Sequence, residues 1–168
     1  MNFNPCKSWR LVIEDRPLRC EPFGIDRLDQ LAKSLAEQLT VEAGPSRNRK
    51  FFHRIKENAR VLRQTHQIVS AQIRAGEVLE PDAEWLLDNF YIVEEQLREI
   101  RDDLPAGFLK ELPHVRDGRP RVQALAMELI CHTDSVLDGE TLVRFVTQFQ
   151  LAAPLTIGEL WAFPIMLR

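Results

Sequence analysis

The sequence predicts an all-α protein of about six helices, organised around a long antiparallel helical hairpin. Two observations support this fold class. Apolar residues recur every three or four positions from residue 25 onwards, which is the period of an amphipathic helix. Clusters of proline and glycine interrupt this period at intervals, as they do between helices.

The composition is that of a soluble folded domain. The 168 residues are 45% hydrophobic and 28% charged, so one domain with a buried core is expected. The net charge of -3 gives no field that would attract nucleic acid or an anionic membrane. Basic residues form one cluster, which we interpret as a solvated helix end: Arg47, Arg49, Lys50, Arg54 and Lys56.

The cysteines and the apolar runs bear on location. Cys6, Cys20 and Cys131 are odd in number and lack the spacing of metal ligands, which favours a reduced, cytosolic setting. No apolar run reaches the roughly 18 residues of a membrane span. The polar start Met1–Asn4 also lacks the core of a signal peptide. The chain as given is therefore predicted to be neither secreted nor membrane-spanning.

Residues 1–22 are predicted to be irregular, because three prolines interrupt them and no period is sustained. Residues 23–168 are predicted to form the helical domain. Its first helix begins near Ile25 and lasts about four turns, since Gly44 and Pro45 lie beyond its end.

The second and third helices carry matching apolar seams. The second is predicted to begin at Ser46 and to end before Gly76, and the third to begin at Pro81, which suits the first position of a helix. Apolar steps of three and four residues, with a short link, predict an antiparallel hairpin. The seam positions are Phe52, Ile55, Ala59, Leu62, His66, Val69 and Ile73, then Ala83, Leu86, Phe90, Val93, Leu97, Ile100 and Leu104.

Three further helices are predicted towards the carboxyl end. Residues 105–120 contain three prolines and two glycines and are predicted to be a connection on the surface. A fourth helix follows, and a fifth opens with Asp138 as its cap. The last opens with Thr156 and Glu159, which stand at the spacing of a capping box.

The last helix is the first candidate site. It is more apolar than one buried face requires, Pro164 can kink it, and no glycine or polar stop follows it. We therefore expect the chain to be a fragment of a longer protein, or this helix to pack on a hydrophobic partner or a second copy. The candidate interface residues are Trp161, Phe163, Ile165, Met166 and Leu167.

A polar face on the third helix is the second candidate site. Glu84, Asp88, Tyr91 and Glu95 fall along one face, where carboxylates could meet a metal or a carbohydrate. The Glu-x-x-His motif of a di-iron bundle is missing, and a solvated face with salt bridges is the preferred interpretation of the spacing. Three aromatic residues could stack on a sugar, although aromatic residues at helical spacing usually pack in a core. They are Trp85, Phe90 and Tyr91.

No pattern predicts a catalytic, cofactor-binding or metal-binding residue in this chain. The seven glycines form no phosphate-binding loop. His66 lies on an apolar seam, where a hydrogen-bonded core histidine is expected. Cys131, His132 and Asp134 lack the pattern of a zinc site and of a nucleophile with its base.

Several short sequence segments nevertheless match a known family. They are Glu57–Arg63, Trp85–Leu104, Lys110–Pro113, Arg121–Val122, Ala124–Ala126, His132–Asp134, Leu155–Ala162 and Pro164–Arg168. These segments stand in the order that they have in bacterial cyclic β-1,2-glucan synthases. From Arg49 to Arg168, the chain resembles the amino-terminal region of these synthases.

The resemblance implies a large inner-membrane parent protein. Such a parent uses UDP-glucose with a divalent metal to build a β-1,2-glucan, cyclises it, and carries a phosphorylase-like carboxy-terminal domain. The resemblance also implies that this region is a cytoplasmic part preceding the transmembrane segments and the glucosyltransferase domain. The family's substrate-binding carboxylates lie beyond Arg168, so no catalytic residue transfers.

The expected role is therefore a non-catalytic helical scaffold that contacts other domains of the parent synthase. One alternative is a free-standing adaptor that binds a protein through its terminal helix. The other is a small carbohydrate-binding or carbohydrate-active domain that uses Glu84, Asp88 and Glu95.

Overall fold

The computed structural model describes residues 20–42, 50–105, 107–134 and 136–168. These residues form seven helices and no strand, which confirms the all-α class. Most of the predicted irregular segment 1–22, together with Cys6 and the predicted start of the second helix at Ser46, lies outside the described residues.

The helices follow the predicted order with one addition. They are α1 Ile25–Gln38, α2 Lys50–Arg74, α3 Pro81–Asp103, α4 Phe108–Glu111, α5 Arg121–His132, α6 Gly139–Gln150 and α7 Ile157–Leu167. The additional helix, α4, is one short turn inside the predicted connection. Among these helices, none is both long enough and apolar enough to cross a membrane.

The chain divides into two compact units. The first contains α1, α5, α6 and α7, and the second contains α2 and α3. The boundary between them falls within α4, after Leu109.

The first unit holds a dense apolar core. Helix α5 is apolar over most of its surface, and Val122, Leu125 and Leu129 are fully buried. Helix α6 buries Phe145 and Phe149. Helix α1 contributes an apolar stripe whose buried leucines are Leu28, Leu31 and Leu35. Burial of this much apolar surface is the main source of the unit's stability.

Local signals set the ends of several helices as predicted. The Asp138 carboxylate accepts a hydrogen bond from the Thr141 amide at 2.8 Å and so caps α6. Pro81 is the first residue of α3. Gly76 follows α2 with a φ of 78°, in the left-handed region that glycine adopts without strain.

The second unit pairs α2 with α3. Arg63 Nε donates to Glu94 Oε1 at 2.7 Å, and the His66 and Phe90 rings stack with their centroids 4.0 Å apart. From the first pair to the second, the residue number rises along α2 and falls along α3. Most of the predicted seam is only half-buried. Its buried members are Ala59, Val69, Ile100 and Leu104.

The prediction that the other helices are organised around this pair is not confirmed. Helices α1, α5, α6 and α7 form their own unit, with their own core. The physical reason is the number of large apolar side chains available. Helices α5 and α6 supply fully buried leucines and phenylalanines, and α7 adds the buried Phe163 and Ile165. Helices α2 and α3 bury only Ala59, Val69 and Ile100.

Candidate functional site

Helix α7 begins at the predicted capping box. The Thr156 amide donates to Glu159 Oε2 at 2.9 Å, and the Glu159 amide donates to Thr156 Oγ1 at 3.2 Å. These reciprocal bonds satisfy amides that have no partner within the helix. The start of α7 is therefore fixed by its own sequence.

A buried ion pair then attaches α7 to α5. Glu159 is fully buried, and Arg121 Nε and Nη2 donate to its two carboxylate oxygens at 2.8 and 2.7 Å. Arg121 Nη2 also donates to the Pro154 carbonyl at 2.9 Å. Removing one partner of such a buried pair typically costs about 3–5 kcal/mol, because the other charge is left unpaired. The pair thus holds α7 in one orientation on α5.

The opposite side of α7 is apolar and exposed. Ile157 is 88% exposed, Trp161 48% and Leu160 41%, and Pro164 is exposed as well. These four positions follow the i, i+3, i+4, i+7 spacing of one helix face. We call them the α7 face. A contiguous exposed apolar face of this kind marks a surface for interaction.

The structure changes which residues of α7 can form the predicted interface. Trp161 lies on the α7 face, but Phe163 and Ile165 are buried in the core of the first unit and are not available to a partner. Met166 and Leu167 are half-buried. The physical reason is the turn of about 100° per residue, which sends neighbours on an all-apolar helix to opposite sides. The apolar sequence alone could not show which side faces solvent.

The predicted polar face of α3 shows no convergence. Glu84, Asp88, Tyr91 and Glu95 are all exposed, and Glu95 lies 3.6 Å from Arg98 in a surface ion pair. The described ranges contain no group of three or more His, Cys, Asp or Glu side chains arranged to hold a metal ion.

The aromatic residues of α3 do not share one environment. Trp85 and Tyr91 are exposed rather than packed in a core, whereas Phe90 is half-buried against His66. Six helical positions separate Trp85 from Tyr91, so the two side chains project about 120° apart. They therefore do not form one flat platform for a sugar.

A second cluster, which the sequence did not indicate, lies at the carboxyl end of α5. Residues Cys20–Phe23, here called the strap, run beside the last turn of that helix. The Cys20 amide donates to the Cys131 carbonyl at 3.2 Å, and the Phe23 amide donates to the His132 carbonyl at 2.8 Å. The strap thereby satisfies carbonyls that the end of an α-helix leaves without partners.

Side chains reinforce the strap. His132 is buried, with Nδ1 2.9 Å from the Glu21 carbonyl oxygen. Its ring stacks on the Phe23 ring at 3.9 Å. The Arg27 guanidinium also lies over the Phe23 ring, 3.9 Å from its centroid.

Cys20 and Cys131 are joined by a disulfide, with their Cα atoms 5.1 Å apart. The expectation of reduced cysteines is therefore wrong for this pair. An odd number of cysteines still permits one bond, and the 111 residues between the partners hide their proximity in the sequence. Only the approach of the strap to α5 brings them together.

Glu128 adds a half-buried carboxyl group beside this cluster. Burial raises the pKa of the Glu128 carboxyl above its usual value, and attraction to His132 and to Arg119 opposes that rise. His132 Nε2 lies 3.8 Å from Glu128 Oε2. Ionisation of Glu128 therefore destabilises the folded state, and its neighbours offset this effect only in part.

These features define an all-α protein with a buried ion pair and an exposed apolar helix face, and its sequence places it in the family of cyclic β-1,2-glucan synthases. The resemblance to cyclic β-1,2-glucan synthases is confirmed, since the chain is homologous to a segment of such a synthase. No family model matches the chain.

The relative that shows this is the cyclic beta-(1,2)-glucan synthase NdvB of Rhizobium meliloti (strain 1021). The two sequences are 37% identical over 154 residues, which cover 90% of this chain. The chain spans 5% of the length of that synthase.

Proposed function

We propose that this chain is a non-catalytic helical scaffold segment of a cyclic β-1,2-glucan synthase. The observation that carries the proposal is the 37% identity along 90% of the chain to a protein of which the matched region is only 5%. A short helical segment within a protein about twenty times longer has most of its potential contacts in the rest of that protein.

The α7 face is the proposed surface for those contacts. The ion pair of Arg121 with Glu159 fixes the buried side of α7, so Ile157, Leu160 and Trp161 are presented outwards in a defined orientation. A rigid, apolar helix face binds without a large entropic cost of ordering. We propose that another domain of the synthase covers it.

The activity and location of the parent protein are part of the proposal. From the resemblance, the parent would use UDP-glucose and a divalent metal and would lie in an inner membrane, with this segment on the cytoplasmic side. Neither the nucleotide sugar nor the metal is proposed to bind this segment. The exposed, separate carboxylates of Glu84, Asp88 and Glu95 support a non-catalytic role.

Calorimetric titration of the purified chain with UDP-glucose, with and without Mg²⁺, tests the non-catalytic role. We expect no binding heat up to millimolar nucleotide sugar. Micromolar binding would contradict the proposal. In that case the variant Glu84→Gln, Asp88→Asn, Glu95→Gln is the matched test, because loss of binding would establish the carbohydrate-active alternative.

The free-standing adaptor remains the second candidate, and the same α7 face favours it. An adaptor would use this face to bind a separate protein rather than a domain of its own chain. The two candidates differ in the size of the polypeptide that carries this sequence in the cell.

A further inference from the structure

The disulfide cluster at the end of α5 has no part in the proposed scaffold contact, and its contacts point to a separate property. The strap is a short, non-helical segment that satisfies the final carbonyls of α5 through the amides of Cys20 and Phe23. One covalent bond, from Cys20 to Cys131, attaches it at one end. At the other end it continues directly into α1, which begins at Ile25.

The two sulfur atoms differ in surroundings. Cys131 is buried within α5, whereas Cys20 is only half-buried at the start of the strap. A thiolate from solvent therefore has its approach on the Cys20 side, and Cys131 is the sulfur that leaves.

We propose that Cys20 and Cys131 form a reversible redox clasp that locks the strap onto the carboxyl end of α5. The clasp opens when one thiolate of a dithiol reductant attacks Cys20 Sγ. That attack breaks the S–S bond, joins the reductant's sulfur to Cys20 and releases Cys131 as a thiolate. The second thiol of the reductant then attacks the reductant sulfur that is bonded to Cys20. This step releases Cys20 and leaves the reductant as a cyclic disulfide. Two electrons and two protons pass to the protein, and oxidation reverses the sequence.

Opening the clasp has a defined structural consequence. The strap then depends on non-covalent contacts alone. They are the two amide hydrogen bonds, the bond of His132 to the Glu21 carbonyl, the stacking of Phe23 on His132, and the contacts of Arg27 with the Glu21 carboxylate and the Phe23 ring. These contacts are individually weak in water, so the strap opens more often and the last turn of α5 frays. Phe145 and Phe149 lie on α6, whose start has its own cap, and we expect them to stay buried.

A reversible disulfide of this kind is compatible with a cytoplasmic location as well as with an extracellular one. Disulfides in reducing compartments are usually transient and redox-sensing, whereas those in oxidising compartments persist. The inference rests on the geometry of the strap and does not depend on the proposed scaffold role.

The test begins with the redox state of the full chain. After equilibration with glutathione disulfide, alkylation should modify one cysteine of the three, and peptide mapping should find Cys20 linked to Cys131. Dithiothreitol should make all three modifiable, and removal of the reductant should restore the link. Failure of Cys20 and Cys131 to link, or a link that uses Cys6 instead, would overturn the proposal.

Hydrogen exchange then measures the strap itself. Upon reduction, the amides of Cys20 and Phe23 should exchange about tenfold faster or more, while the amide of Phe149 keeps its protection. Cys20→Ser without reductant should match the reduced wild type, and Cys6→Ser should match the oxidised one. Unchanged exchange at Phe23 would show that the disulfide does not control the opening of the strap. Loss of protection at Phe149 as well would show a structural cross-link of the whole unit instead of a clasp.

Discussion

Phe149 and Phe90 show how the environment of one residue type decides its energetic weight. Phe149 is fully buried between α6 and the rest of the first unit's core. Phe90 is half-buried and rests on His66. The same truncation should therefore have different costs at the two positions.

We predict that Phe149→Ala lowers the free energy of unfolding by about 3–5 kcal/mol, since it leaves a closed cavity. Phe90→Ala should cost about half as much, because water reaches the vacated site and only part of the ring's burial is lost. Urea titrations followed by circular dichroism measure both values. Equal losses would mean that Phe90 is as deeply packed as Phe149 and that the seam is a full core.

Glu128 gives a prediction for pH. Burial raises its folded pKa above the ordinary value of 4.5, so the folded state binds a proton more tightly than the unfolded state does. Stability should therefore fall as the pH rises from about 4.5 through the folded pKa.

Glu128→Gln removes this cost. The variant should be more stable than the wild type at neutral pH, and the difference should shrink to nothing below about pH 4, where the carboxyl is protonated in both states. Thermal melts across this range provide the comparison, and other carboxyl groups cancel between the two proteins. A variant that is less stable at pH 7 would mean that the attraction to His132 and Arg119 outweighs the burial of Glu128.

At the scale of the element, α6 depends on its first residues. Asp138 caps the helix through the Thr141 amide, and this bond is the main cause that lowers the pKa of the Asp138 carboxyl. The stabilisation is present above the unfolded pKa and is lost as the pH falls through the lower folded value.

We predict that Asp138→Ala lowers the melting temperature by about 2–4 °C at pH 7. Asp138→Asn should retain most of the stability, because the amide oxygen also accepts the Thr141 bond. Differential scanning calorimetry of both variants is the measurement. If both substitutions have the same effect, the charge rather than the hydrogen bond stabilises the start of α6.

The capping signals show what the sequence can predict at this scale. Asp138, Pro81 and the pair of Thr156 with Glu159 act within one turn of chain, so their spacing alone predicts where α6, α3 and α7 begin. The all-α class follows from the same local periodicity.

Contacts between distant elements were beyond such reasoning. The second role of Glu159, as the buried partner of Arg121, depends on how α7 packs on α5. The bond between Cys20 and Cys131 depends on the path of the strap. The division into two units likewise follows from competition among apolar faces, which no single helix reveals. The sequence therefore predicts which helix carries the candidate interface but not which face of that helix is exposed.

At the scale of the whole molecule, the exposed α7 face should govern association. Ile157, Leu160 and Trp161 are exposed to solvent, so we predict self-association of the purified chain that increases with concentration. Leu160→Glu with Trp161→Glu should shift the protein towards monomer by at least tenfold in dissociation constant.

Sedimentation velocity over a range of concentrations measures this shift. Val143→Glu is the matched control, because Val143 is an apolar residue on α6, outside the α7 face, and is even more exposed than Leu160 and Trp161. It should leave association unchanged. Ile165→Lys is unsuitable as a test, since Ile165 is buried and its substitution would disturb the core. A wild-type chain that stays monomeric at all concentrations would contradict the role of the α7 face in association.

We conclude that this sequence is a segment of a cyclic β-1,2-glucan synthase. An immunoblot of fractionated source cells, with an antibody raised against the purified chain, measures the size of the polypeptide that carries it. We expect one product about twenty times the length of this chain, sedimenting with the membranes. A free product of 168 residues in the supernatant would contradict it and would establish the adaptor.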